Sequence, residues 1–184
     1  MADEDKAPSR SLYERDFYAW ARREAVLLQR RDFAQLDLDN VIEELDSLGR
    51  QERARWEDHI TWAIELLLLL EYGRHVEEPT RSRWNFELWQ SQRVIENQIE
   101  DNPSLRELGE AAVARCWHRA RRRVCTELDF ATNHSLKSKR RARGGLWREV
   151  LPKRCPFSYA QIAGEEPTAF SEPDNLVPLP VETP

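Results

Sequence analysis

Apolar and polar residues alternate along most of the chain with the spacing of amphipathic helices. The longest such stretch covers residues 36–72, where apolar residues recur mostly three or four positions apart. We interpret it as one long central helix, with Asp37 capping its first free N–H groups. Residues 64–70 are apolar on nearly every side of that helix, which predicts that its end is buried. Gly73 follows directly and suits a helix C-terminus.

The same spacing predicts shorter helices on both sides of the central one. Asn102 followed by Pro103 is a typical helix start, and Ser158 is placed to cap one short helix. The sequence therefore predicts an all-α fold: a helical bundle of about four main helices with a long central helix, a short C-terminal helix and an extended Pro-rich tail. The predicted helices are 12–30, 36–72, 81–101 and 103–131, with short ones at 146–150 and after Ser158.

Composition divides the chain into three predicted regions. Residues 1–10 are polar and acidic, and we expect them to be disordered. Residues 11–165 contain the apolar stripes of a single helical domain, and residues 166–184 contain five prolines and form the predicted extended tail. The N-terminus has no apolar signal sequence and no segment is apolar enough to cross a membrane, so we predict a cytoplasmic protein that does not contact membranes.

Charge is distributed unevenly along the chain, although its net value is only −5. Residues 1–110 contain 25 acidic and 15 basic residues, whereas residues 111–154 contain 3 acidic and 13 basic ones. A basic block of this kind binds an anionic partner in some proteins. Because the chain supplies its own acidic residues, we favour the alternative that the basic helix lies against its acidic neighbours.

Four segments occur in an order and spacing that resemble one known family. They are LYERDFYAW at 12–20, LDLDNVIEELDSLGR at 36–50, NPSLRE at 102–107 and LPKRCPFSYAQI at 151–162. The chain resembles the uncharacterised bacterial proteins grouped as domain of unknown function 29, over roughly residues 12–165. The resemblance implies a mostly helical fold. It implies no established activity, so it transfers no catalytic residue to this chain.

Acidic residues on the central helix raise the possibility of a metal site, because hard cations need several convergent carboxylates. Helical di-metal sites also use Glu-x-x-His, which this chain lacks. A solvated acidic face explains the pattern better, and we predict no metal site, no cofactor and no cofactor-binding residue. The acidic set, with its one histidine, is Glu43, Glu44, Asp46, Glu52, Glu57, Asp58 and His59.

Catalytic nucleophiles are equally hard to assemble from this sequence. Cys116 and His118 are two apart, so on a helix they point away from each other. Cys116, Cys125 and Cys155 match neither a zinc pattern nor a disulfide framework, and we expect reduced, structural thiols. GxSxG, P-loop and GxGxxG motifs do not occur. We therefore predict no catalytic residue, and a protein that is not an enzyme.

Two basic runs are the best candidates for contact with an anion or a nucleic acid. They lie within residues 115–143, where clustered cations could neutralise phosphates. The pI of about 5.5 for the whole chain argues against a dedicated nucleic-acid-binding protein. The candidate residues are Arg119, Arg122, Arg123, Lys137, Lys139, Arg140, Arg141 and Arg143.

Three functions remain open on this sequence. We favour a non-enzymatic protein that acts through contacts with an unknown protein partner or as a homo-oligomer, since its long amphipathic helices and aromatic residues exceed what a four-helix core must bury. A nucleic-acid-associated protein using residues 115–143 is the alternative. A metal-dependent enzyme using the acidic face of the central helix ranks third.

Overall fold

The computed structural model describes residues 11–73, 78–135 and 146–168, with the backbone alone at 131–135 and 146. All regular secondary structure in these residues is helical, which confirms the all-α prediction. Four of the helices, α2 to α5, are long. The elements are α1 Leu12–Arg15, α2 Phe17–Arg30, α3 Leu38–Tyr72, α4 Thr80–Asp101, a 3-10 helix Pro103–Leu108, α5 Gly109–Ser135, α6 Leu146–Val150 and α7 Tyr159–Ala163.

The single helix predicted over residues 12–30 is wrong, because the structure breaks it at Asp16. Ser11 and Glu14 form a capping box that begins α1. Asp16 leaves the helical conformation at φ −152° and ψ 84°, and its side chain accepts a hydrogen bond of 2.9 Å from the N–H of Ala19. A short aspartate side chain that caps a new helix thus competes with continuation of the old one.

The start of the central helix agrees with its predicted cap. The carbonyl of Asp37 accepts from the N–H of Val41 at 3.0 Å, which makes Asp37 the residue before the first turn of α3. Its carboxylate accepts from the side-chain amide of Asn40 at 2.8 Å and from the indole N–H of Trp20 at 3.0 Å. These hydrogen bonds hold the pKa of Asp37 below its ordinary value, and the one from Asn40 has the largest effect. Burial opposes them by raising the pKa.

Contacts among the residues divide the chain into two compact units, and the boundary falls within α3 between Glu52 and Arg53. The first unit contains α1, α2 and the N-terminal part of α3; the second contains the rest. The single domain expected over residues 11–165 stays a prediction. The disordered segment predicted at residues 1–10, and the Pro-rich tail from residue 169 onward, lie outside the described residues.

The second unit contains the apolar core. The C-terminal part of α3 is its centre, because residues 66–68 are fully buried, as predicted for the apolar run. On α5 the buried residues recur every four positions and form one stripe against this centre. The core side chains of the other elements include Trp84, Leu88 and Ile95 on α4, Leu105 on the 3-10 helix, Ala112, Cys116, Ala120, Val124 and Leu128 on α5, Trp147 on α6, and Tyr159 and Ile162 on α7.

Two helix ends in this unit are shaped by glycine. A Cβ on Gly73 would lie 2.4 Å from the carbonyl oxygen of Leu69 and 3.0 Å from the ring of Trp84, so no other residue fits without a shift. Gly109, where the 3-10 helix gives way to α5, is packed against the Tyr159 ring in the same way. The helix predicted over residues 103–131 is thus two elements, a 3-10 turn that begins at Pro103 and then α5.

The first unit is built differently, with Trp20 as its one fully buried apolar side chain among the residues described. The sequence pattern predicts a single apolar stripe along the whole of α3. The structure buries that stripe only from Trp56 onward, and the side chains at its start remain exposed. Their exposed fractions are 54% for Leu38, 51% for Ile42, 64% for Leu45 and 57% for Leu48. Within the described ranges, no helix has the length and apolarity that a bilayer crossing requires.

Candidate functional site

The basic residues of α5 that the structure describes are mostly engaged with acidic residues of α3. A guanidinium nitrogen of Arg119 lies 3.0 Å from the carboxylate of Asp58, and the same nitrogen donates to the hydroxyl of Thr61 at 2.6 Å. Arg123 donates to Glu65 at 3.0 Å. Thus the prediction that the basic helix lies against its own acidic neighbours is confirmed for this part of α5.

Glu57 is the most highly bonded of these acids. It accepts from Arg53 at 2.9 Å and from two nitrogens of Arg115 at 2.8 and 3.1 Å. Burial raises the pKa of Glu57, but the two guanidinium groups outweigh it and hold the pKa below its ordinary value. Glu65 differs, because burial there outweighs Arg123 and its pKa is raised.

Of the remaining candidates for anion contact, one is an exposed arginine of α5 and the other five lie outside the described residues. Arg122 is exposed and forms no ion pair with any described residue. It lines an open cavity of about 430 Å³ whose lining includes the carboxylate of Asp129. Arg121, in the same cavity, donates to the carbonyls of Leu151 and Pro152. Lys137, Lys139, Arg140, Arg141 and Arg143 lie outside the described residues.

Three of the acidic residues considered as metal ligands are engaged in other contacts. Glu57 and Asp58 pair with arginines, and Glu44 accepts a 2.5 Å hydrogen bond from the hydroxyl of Tyr13. Burial lowers the pKa of His59. In residues 11–73, 78–135 and 146–168, no group of three or more His, Cys, Asp or Glu side chains has the arrangement of a metal site.

The three cysteines are free thiols. Cys116 is buried and its Sγ lies 3.3 Å from the carbonyl of Glu57, whereas His118 is exposed on another side of α5. Burial raises the pKa of Cys116 and Cys125, and it raises that of Cys155 to about 11. The thiols therefore lack the lowered pKa of a cysteine nucleophile.

Polar contacts join α3 to the preceding helices in the first unit. Tyr13 bonds to Glu44, Trp20 bonds to Asp37, and the buried carboxylate of Glu24 accepts from the backbone N–H of Asp37 at 2.9 Å. Tyr13 precedes Trp20 in the chain, but its partner Glu44 follows Asp37, the partner of Trp20. The two segments therefore run in opposite directions, and α2 and α3 form an antiparallel hairpin. Because polar residues of α3 fill this contact, its apolar residues face another direction.

Two exposed apolar residues of α2 and the apolar stripe at the start of α3 lie on the same side of this hairpin. At 100° per residue, Phe17 and Leu28 of α2 lie beside the face that holds Trp20 and Glu24. On α3 the apolar stripe lies beside the face that holds Asp37 and Glu44, and opposite helix directions bring the two stripes to one side. We call this surface the hairpin apolar face, and its large side chains are Phe17, Leu28, Leu38, Ile42, Leu45 and Leu48, all exposed.

Two features border or interrupt the hairpin apolar face. Asp39, Glu43 and Asp46 lie next to it along the outer side of α3, are exposed, and form no ion pair with a described residue. Gly49 lies within the stripe, and a Cβ added there would meet nothing within 4 Å. The face is therefore apolar, open at Gly49 and acidic along one edge.

Sequence reasoning did not single out this surface. Leu38, Ile42 and Leu45 have the spacing of any core-facing stripe, and their exposure depends on which helix packs where. One signal was available: Asp37, Asn40 and Glu44 share the neighbouring side of the same turns, and Trp20 and Tyr13 are suited to bond such polar groups.

Comparison with known proteins identifies a family and nothing narrower. No curated protein matches this chain, and no solved structure matches it. The family described as Domain of unknown function DUF29 matches over residues 12–166. That range covers most of the chain and includes all four segments whose order suggested the resemblance. The protein therefore belongs to the DUF29 family.

Proposed function

We propose that this protein acts by binding another protein through the hairpin apolar face, and that it does not catalyse a reaction. The observation that supports the proposal is the stripe of Leu38, Ile42, Leu45 and Leu48, each more than half exposed. Monomeric proteins rarely leave contiguous apolar patches of several hundred Å² in water, and larger ones mark interaction sites.

The energetics favour a partner at this surface. Burial of apolar area contributes about 25 cal/mol per Å², so covering several leucine-sized side chains offsets much of the cost of association. The stripe also belongs to a stable helix, since α3 continues without a break into the buried core of the second unit. A partner would therefore meet a preformed surface, which lowers the ordering cost of binding.

The proposed setting is the bacterial cytoplasm. Its support is the three free thiols, which suit a reducing compartment. The absence of a catalytic assignment rests on two observations: Glu57 and Glu65 pair with arginines, and Cys116 is buried away from the exposed His118.

Site-specific photo-crosslinking in the native host tests this function. A benzophenone amino acid is placed at Leu45, on the hairpin apolar face, or at the exposed Gln29 on the far side of α2 as the matched control. We expect a discrete crosslinked product from position 45 and none from position 29. Equal or absent crosslinking at both positions contradicts the proposal.

A further inference from the structure

We infer that the partner presents an amphipathic helix with an apolar stripe and with Lys or Arg along one edge. This inference rests on the proposed function and adds the chemistry of the ligand. The hairpin apolar face runs from Leu38 to Gly49 along α3, a length of about 16 Å at 1.5 Å per residue. Three turns of a second helix match that length, and helix-in-groove binding uses the same apolar spacing.

The acidic edge selects the charge of the partner. Asp39, Glu43 and Asp46 follow one another at spacings of four and three, so they form one line parallel to the apolar stripe. Since none of them forms an ion pair with a described residue, cations on a partner would meet carboxylates that no cation in the described part of the chain neutralises. Complementary charge raises the association rate and disfavours acidic partners.

Gly49 is the position at which a partner helix can come closest to α3. Glycine inside a helix costs about 1 kcal/mol relative to alanine. Outside the adjoining backbone of α3, no described residue occupies the space beside it, since a Cβ there would contact none of their atoms within 4 Å. An unfilled position at one end of an apolar face lets the backbone of another helix lie close, as small residues do at helix–helix contacts.

A second copy of the chain fits this surface less well. Residues 11–52 contain ten acidic and six basic residues, a net charge of −4. Pairing two such hairpins through their apolar faces would bring two surfaces of the same sign together. Like charges across an interface oppose association, so a basic partner is favoured over self-association.

Two synthetic helical peptides provide the test with the full-length protein. Both repeat the same leucine stripe, and one has lysine and the other glutamate at every polar position. Their affinities are measured by fluorescence anisotropy at 0.15 M salt. We expect the Leu/Lys peptide to bind roughly tenfold more tightly than the Leu/Glu peptide. Each exposed charge pair increases affinity by about 1.5- to 5-fold, and several such pairs would together give this difference.

Three variants separate the face from general charge attraction. Gly49→Lys should abolish binding of the Leu/Lys peptide, whereas Gln29→Lys, with the same added charge on an exposed position elsewhere, should leave it unchanged. Neutralising the edge with Asp39→Asn, Glu43→Gln and Asp46→Asn together should weaken binding by roughly fivefold or more. Circular dichroism checks that each variant keeps its helix content.

The outcomes distinguish this inference from the proposed function. If the two peptides bind with equal affinity and Gly49→Lys abolishes the binding of both, the selection for basic helices is overturned. The hairpin apolar face would then remain a binding surface. Equal loss in Gly49→Lys and Gln29→Lys would show general charge attraction and overturn the inference. Absence of peptide binding would also overturn it, and sedimentation showing a dimer that Gly49→Lys dissolves would identify a second copy as the occupant. Crosslinking at position 45 decides the proposed function separately.

Discussion

The carboxylate of Glu65 accepts a 3.0 Å hydrogen bond from a guanidinium nitrogen of Arg123, across the contact between α3 and α5. The two ends of this ion pair differ in environment: the Glu65 side chain is 6% exposed and that of Arg123 is 58% exposed. The arginine therefore neutralises a carboxylate that is inside the protein. The contribution of Arg123 to the stability of the fold depends on whether Glu65 is ionised.

Arg123→Ala should destabilise the protein in a pH-dependent way. Burial already raises the pKa of Glu65, and Arg123 partly opposes that effect, so the variant raises this pKa further. At pH 8 the buried carboxylate loses its partner, which we expect to cost about 1–3 kcal/mol in the free energy of unfolding. As pH falls through the raised pKa, protonation removes the charge and the loss shrinks. Urea unfolding at pH 5 and pH 8 measures it; equal losses at both would contradict this account.

Leu67→Ala and Leu45→Ala compare the two parts of the stripe on α3. Leu67 is fully buried, so its truncation should leave a cavity and cost about 2–5 kcal/mol. Leu45 is largely exposed, and its truncation should change stability by less than about 0.5 kcal/mol. Chemical denaturation of both variants gives the comparison, and similar losses at the two positions would mean that the assignment of the buried part is incorrect.

Gly49→Ala and Gly73→Ala should change stability in opposite directions. Alanine at Gly49 adds a methyl group to open space and gains helix propensity, so we expect stabilisation of about 1 kcal/mol. Alanine at Gly73 would collide with the carbonyl of Leu69, and we expect a loss of about 1–3 kcal/mol. Thermal unfolding followed by circular dichroism measures both, and a stabilised Gly73→Ala variant would argue against the tight contact.

The thiols should react slowly with maleimide or disulfide reagents while the protein is folded. With its pKa raised to about 11, Cys155 contains roughly a hundredfold less thiolate at pH 8 than an ordinary cysteine. Cys116 and Cys125 are buried, and Cys155 is partly buried. We expect all three to label fast only after unfolding in urea. Rapid labelling of one thiol in the native protein would indicate an activated cysteine that the structure does not explain.

Binding to nucleic acid should be weak at physiological salt. Arg119 and Arg123 are engaged with Asp58 and Glu65, so they are poorly available to phosphates. We expect anisotropy titrations with DNA or RNA near 0.15 M salt to show no submicromolar binding. Submicromolar binding that is lost when Lys139, Arg140 and Arg141 are neutralised together would favour the nucleic-acid-associated function instead.

Arg119→Ala and Arg122→Ala offer a check on the same assignment through stability. Arg119 bonds to Asp58 and Thr61, and its loss should destabilise the protein by about 1–2 kcal/mol. Arg122 has no ion-pair partner among the described residues and should be replaceable within about 0.5 kcal/mol. If both variants are equally stable, the intramolecular role of Arg119 is wrong.

The candidate site was only partly predictable from the sequence. The pairing of the basic helix with acidic neighbours followed from the distribution of charge, because the chain contains both signs in separate segments. Which arginine meets which carboxylate did not follow. Arg119 and Asp58 are far apart in the sequence, and their contact depends on how α3 and α5 pack against each other.

By itself the sequence determined the central helix, α4 and α7, together with several of the helix ends. Apolar residues at helical spacing, Asp37 before α3, Ser158 before α7 and Gly73 after α3 act through local hydrogen bonds and local backbone sterics, which need no distant partner. The buried run at residues 64–70 was predictable too, because it is apolar on nearly every side and any packing arrangement must cover most of it.

Only the tertiary structure decided which apolar residues are covered. Leu45 and Leu67 belong to one helix and to the same sequence pattern, yet Leu67 is buried and Leu45 is exposed. Periodicity defines a face, whereas burial requires a neighbour. Next to Leu67 the chain supplies α4 and α5, but α2 meets α3 through Trp20 and Asp37 and leaves the apolar side open. The hairpin apolar face exists because a polar contact, and not an apolar one, joins those two helices.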